Sequence, residues 1–129
     1  MRHWIAGVLF ALITFSGCAG NPKVLPKHDD VLLYPLAYDL VYLRTIEALE
    51  SVPKWEVDEM EKERGIIRVR NTDYQTPGDA DQRVITFVLS RIGKRETSVQ
   101  IDPDSQHVVG GDSLLTNITK FMKREMKSA

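Results

Sequence analysis

One stretch constrains this chain more than any other: Arg83-Val84-Ile85-Thr86-Phe87-Val88-Leu89-Ser90-Arg91-Ile92. Its density of β-branched and aromatic residues marks it as a strand, the strongest in the sequence. Ile85, Phe87 and Leu89 fall on one face at a period of two, and Val84, Val88 and Ile92 make the opposite face apolar as well. An antiparallel strand with one wet face alternates apolar and polar residues instead. This strand is therefore either central and covered on both sides, or it offers its outer face to a partner. Ordinary burial is the simpler expectation. A homodimer through Val84, Val88 and Ile92 is the alternative.

The remaining elements supply what such a strand needs. Residues 31–36 form a short apolar run whose Pro35 suits a sheet edge. Asp39 is placed to cap a helix running to about residue 52, closed by Pro53. Val41, Thr45, Ala48 and Val52, flanked by Tyr42 and Leu49, share one face of it, with Arg44, Glu47 and Ser51 opposite. Trp55 and Val57 alternate with Glu56 and Asp58, and after Gly65 the run Ile66-Ile67-Arg68-Val69-Arg70 returns. A polar loop spans 71–81. Beyond the strong strand, Gly93-Lys94 makes a turn into 96–101, where Thr97, Val99 and Ile101 share a face. Asp112 or Ser113 is the expected cap of a last helix striped by Leu114, Leu115, Ile118, Phe121 and Met122. The order β-α-β-β-β-β-α implies an α+β fold, an antiparallel sheet of four to five strands with two helices packed on it.

Length allows one domain, and charge narrows the partners. The chain has 129 residues, 17 basic and 18 acidic, so no overall field favours nucleic acid. Its basic concentration, Lys120, Lys123, Arg124 and Lys127, falls late in the last helix, where it complements the negative end of the helix dipole.

The first residues carry an address. Met1-Arg2-His3 is followed by the uncharged run Trp4 to Phe15 and the small pair Ser16-Gly17. Twelve helical residues reach about 18 Å, short of a hydrocarbon core of about 30 Å. These are the dimensions of a signal peptide over 1–17. Cys18, directly after it, is the only cysteine, so no intramolecular disulfide exists. Residues 19–30 hold two prolines and a glycine and read as a tether of roughly 40 Å when extended, ahead of a domain over 31–129.

Phe15-Ser16-Gly17-Cys18 resembles the lipobox of bacterial lipoproteins, with Phe15 standing where Leu, Val or Ile is usual. The resemblance implies cleavage before Cys18, a diacylglycerol on its thiol and a fatty acid such as palmitate on the new amine. Ala19, rather than Asp, implies sorting to the outer membrane, facing the periplasm. An ordinary secretory signal with an incidental cysteine, or a buried core cysteine, are the plainer alternatives. Further along, Asp39-Leu40-Val41-Tyr42, Trp55-Glu56-Val57 and Gly65-Ile66-Ile67-Arg68-Val69 look like small envelope lipoproteins whose domain opens with a helix and a W-x-V…G-x-I hairpin. They are also loosely similar to the helix-grip domains of the C lipoprotein of the outer-membrane barrel-assembly machine. These motifs imply a fold rather than an activity.

Catalytic patterns are scarce. After Cys18 only His28 and His107 could join carboxylates around a metal, short of a converging set. Residues 102–106 open like a calcium loop, but His107 and Ser113 stand where the EF-hand needs Gly and Glu. His107 beside Ser105 or Ser113 lacks a nucleophile elbow. Glu59, Glu61 and Glu63 read as solvated, and Gly110-Gly111-Asp112 lacks the Lys and spacing of a phosphate loop. No catalytic, cofactor or metal site is therefore expected, and the assigned chemistry is the lipidation of Cys18. The expected role is a non-enzymatic binding or structural lipoprotein of the cell envelope, attached to the membrane through Cys18 and meeting an envelope protein partner. A small-ligand or lipid carrier is the alternative, and an envelope hydrolase comes last.

Overall fold

A computed structural model describes residues 29–73 and 84–128. The elements run β1 (Leu32–Tyr34), α1 (Tyr38–Glu50), β2 (Trp55–Glu61), β3 (Ile66–Asn71), β4 (Val84–Gly93), β5 (Glu96–Ile101) and α2 (Gly111–Ser128), with a 3-10 turn at Pro103–Ser105 before α2. The five strands form one antiparallel sheet in the order β1-β5-β4-β3-β2. This is the α+β architecture and element order that the hydrophobic periodicities imply. Pro35 follows β1, which lies at a sheet edge where a missing N–H costs no ladder bond.

Both helices cover the same face of the sheet. Cross-strand registers lay down its buried rows: Leu32, Val99 and Leu89; Ile101, Phe87 and Ile67; Ile85, Val69 and Val57. Onto them α1 sets Val41, Tyr42, Thr45, Ala48 and Leu49, and α2 sets Leu114, Leu115, Ile118 and Met122. Phe87 is fully buried at the centre, and burying a side chain of that size stabilises by up to about 3 kcal/mol.

The helices also contact each other, running antiparallel. Arg44 pairs with Glu125 of α2 and, at 2.6 Å, with Glu47. Asn117 donates from Nδ2 to the Ala48 carbonyl at 2.6 Å and to Ser51 Oγ at 2.7 Å. Arg44 and Ser51 thus bond to the second helix, Ser51 while remaining exposed, because a helix that shares its sheet has a flank as well as a buried and a wet side.

Both expected helix caps move. α1 begins at Tyr38 with Ala37 at its cap position and no side-chain cap. Asp39 lies inside the first turn, where a carboxylate favours the dipole, and reaches Lys62 at 3.1 Å. The helix takes in these two further residues because Tyr38 is itself buried, its hydroxyl donating to the Lys62 carbonyl at 2.6 Å. α2 begins at Gly111, so Asp112 and Ser113 are also first-turn residues. Its entry is set by Gly110 at φ 98, whose added Cβ would meet the Trp55 ring at 3.0 Å.

Two strand details also differ from the alternation. β2 continues through its charged part to Glu61, with a register shift between Val57 and Glu59 that makes Asp58 the extra residue of a bulge. Gly93 stays paired with Glu96, so the β4–β5 turn falls on Lys94 and Arg95.

Gly65 carries the tightest backbone approach. At φ 69 it closes the β2–β3 turn, and its carbonyl accepts from the Leu89 N–H at 2.7 Å. A Cβ there would lie 2.0 Å from the Leu89 carbonyl oxygen. Gly65→Ala should therefore lower unfolding free energy in urea by about 2 kcal/mol or more, since the left-handed strain and the clash add. A second expectation concerns alkali. Burial holds the Tyr34 phenol above its ordinary value of 10.0, with its hydrogen bond to Thr119 pulling the other way. The unfolded chain then ionises first, so stability is full below pH 10 and falls as pH rises beyond it. Tyrosinate absorbance and loss of circular dichroism should rise together in an alkaline titration.

Candidate functional site

The helices leave the second face of the sheet bare of any described residue. Its side chains are ordered by the same registers, one step out of phase with the core. One row runs Leu33, Ser98, Ser90; the next Gln100, Val88, Ile66, Glu61; then Thr86, Arg68, Glu59; and last Val84, Arg70, Glu56. The surface therefore grades from apolar and small at the β1 edge to charged at the β2 edge.

The charges on this face are already matched. Arg68 Nη1 meets Glu59 Oε2 at 2.6 Å, and Arg70 lies 3.8 Å from Glu56. Glu61 binds Arg64 at 3.0 Å. Of the three glutamates expected to be solvated, Glu59 and Glu63 are exposed and Glu61 is half-buried, and Glu59 and Glu61 are also ion-paired. Exposed ion pairs contribute about 0–1 kcal/mol, so their effect here is on register and specificity more than stability. The apolar members differ in depth: Ile66, Val84 and Val88 are half-buried among their neighbours, and Leu33 is 58% exposed.

The two-faced strand of the sequence is thus central, and the described helices cover one side of it. Ile85, Phe87 and Leu89 are core, while Val84 and Val88 face outward in the company of Ile66. Ile92 falls in the register shift between Arg91 and Gly93 and is 56% exposed. Burial on both faces is not what the described residues provide.

Elsewhere, groups with chemical potential are committed to structure. Ser105 is buried, and its Oγ accepts from the Thr86 N–H at 3.2 Å. His107 is exposed two residues on, with no hydrogen bond to Ser105 among the described residues. Asp102 Oδ2 accepts from the Asp104 N–H at 3.2 Å, which caps the 3-10 turn. Among the described residues no group of three or more His, Cys, Asp or Glu is placed to hold a metal ion. Among them, too, no helix is long and apolar enough to cross a membrane. Cys18, the signal-like run 1–17, His28 and most of the tether lie outside the described residues.

Two surface depressions lie away from that face, beside the helices. One of about 290 Å³ is lined by Ala37, Tyr38, Asp39, Arg91 and Lys94, with the Arg91 guanidinium 4.1 Å above the Tyr38 ring. The other, about 390 Å³, lies between the start of β1 and α2, lined by Asp30, Leu32, Asp112, Lys120 and Lys123. Of the four late cations of α2, only Lys127 sits in the last turn. Dipole pairing acts within that turn, so it does not account for Lys120 or Lys123.

The two faces of β4 should respond oppositely to mutation. Val88→Ser should change unfolding free energy by less than about 1 kcal/mol, whereas Phe87→Ala should cost about 3–5 kcal/mol, both measured by urea denaturation. Equal, large losses would mean that the outer face is covered. No protein-family model matches the chain, and no curated protein sequence matches it.

Proposed function

We propose that this chain is an outer-membrane lipoprotein, held on the periplasmic side through lipid on Cys18, which binds another envelope component without catalysing a reaction. The observation that carries the binding role is the sheet face that neither described helix covers. There Leu33, Ile66, Val84 and Val88 lie beside a ladder of paired Arg and Glu residues. Apolar side chains bordered by ordered charge are the usual make-up of a protein interface. The anchor rests on the position of Cys18 after a short apolar run and two small residues. Two or more acyl chains would make such attachment effectively permanent.

The carrier reading receives less support. Phe87, Ile67, Leu114 and Ile118 are fully buried between helices and sheet, and both described depressions open on the surface rather than into that core. The hydrolase reading has only the exposed His107 beside a structurally committed Ser105.

Crosslinking in intact cells followed by purification of the lipidated chain tests the binding role. A specific envelope protein should be recovered with the unaltered chain and lost with Val88→Asp, while the variant stays folded and membrane-bound. Equal recovery with both would remove the sheet face from the interaction. Cys18→Ala should abolish fatty-acid labelling, and labelling that persists would overturn the anchor.

A further inference from the structure

The last helix presents a second surface, distinct from the open sheet face. Lys120, Lys123 and Lys127 recur at helical spacing on the side opposite Leu114, Ile118 and Met122, and Arg124 stands next to them. All four are exposed, and none has an ion-pair partner among the described residues. The one carboxylate in that part of the helix, Glu125, is turned inward to Arg44. A run of unpaired cations with no acid among them is a solvated surface that favours an anionic partner.

The chain's path says which partner. Residues from the tether enter the domain at Asp30, which with Leu32 lines the same depression as Lys120 and Lys123. The proposed lipid therefore leads into the domain on the cation-bearing flank of α2. Asp30 and Asp112 share that depression, so the favourable surface is the outward side of the helix from Lys120 onward. A tether of roughly 40 Å does not by itself hold a domain against a bilayer. A basic patch beside an acyl anchor is a second membrane signal.

We propose that the outward face of α2 docks on anionic phospholipid headgroups of the leaflet that holds the Cys18 lipid. This rests on the lipid attachment proposed above. Because α2 and the open sheet face lie on opposite sides of the domain, docking turns Leu33, Ile66, Val84 and Val88 away from the membrane, toward a partner.

The test uses the full lipidated chain reconstituted in vesicles of phosphatidylcholine, alone or mixed with phosphatidylglycerol. Lysine acetylation is read by mass spectrometry, with Lys54, at the start of β2, as internal reference. Flotation with the vesicles at high salt reports the anchor separately. Docking predicts that Lys120, Lys123 and Lys127 react about fivefold more slowly in the phosphatidylglycerol vesicles, while Lys54 is unchanged. Protection should vanish at about 1 M salt, where the Debye length is about 3 Å. Flotation with equal lysine reactivity in both vesicles overturns the docking and leaves the anchor standing. Protection that survives high salt, or that occurs only in native membranes, assigns the surface to a protein and also overturns it. Failure to float removes the anchor and the docking together.

Discussion

Burial of the row through Ile101, Phe87 and Ile67 beneath both helices is the contact on which the rest of the molecule depends. β4 is central, so its core side chains join both hairpins of the sheet, β2–β3 and β4–β5. The helices cannot hide Val41, Leu49, Leu114 or Ile118 without that surface. Most helical stability comes from packing of this kind rather than from propensity. That explains how α1 tolerates the absence of a side-chain cap at Ala37.

The same contact creates the asymmetry of the domain. Two helices suffice for one face of five strands, and among the described residues the second face is closed only by its own neighbours. The sheet manages this with cross-strand pairs: Glu59 against Arg68 and Glu56 against Arg70 near the β2 edge, Ser90 against Ser98 near β1. Such pairs keep register without requiring a second layer. The Asp58 bulge twists the long edge strand, a recurrent guard against unwanted strand pairing. Among the described residues paired on this face, the apolar ones are Leu33, Ile66, Val84 and Val88, and the functional reading is built on them.

Much of the fold was legible along the chain, because side-chain periodicity is local. The period of two in Ile85, Phe87 and Leu89, and the helical stripe from Leu114 to Met122, needed no partner to be read. The two cap assignments were not legible. Whether the cap falls at Asp39 or two residues earlier, at Ala37, depends on where the buried Tyr38 must point. Nor does the run Gly110-Gly111 show along the chain that Gly110 is held against the Trp55 ring. The candidate site was half visible. The apolar outer face of β4 stood out, but Leu33 and Ile66 join it only through pairings distant in sequence, and Arg68 and Arg70 find their glutamates the same way.

By itself the sequence determined the class of fold, the order of its elements and the position of a single cysteine after a short apolar run, since each follows from spacing along one chain. Tertiary structure decided which side of β4 the helices cover, which charges are paired and which cations of α2 stand exposed. Those are properties of surfaces, and a surface exists only once residues far apart in the chain are brought side by side.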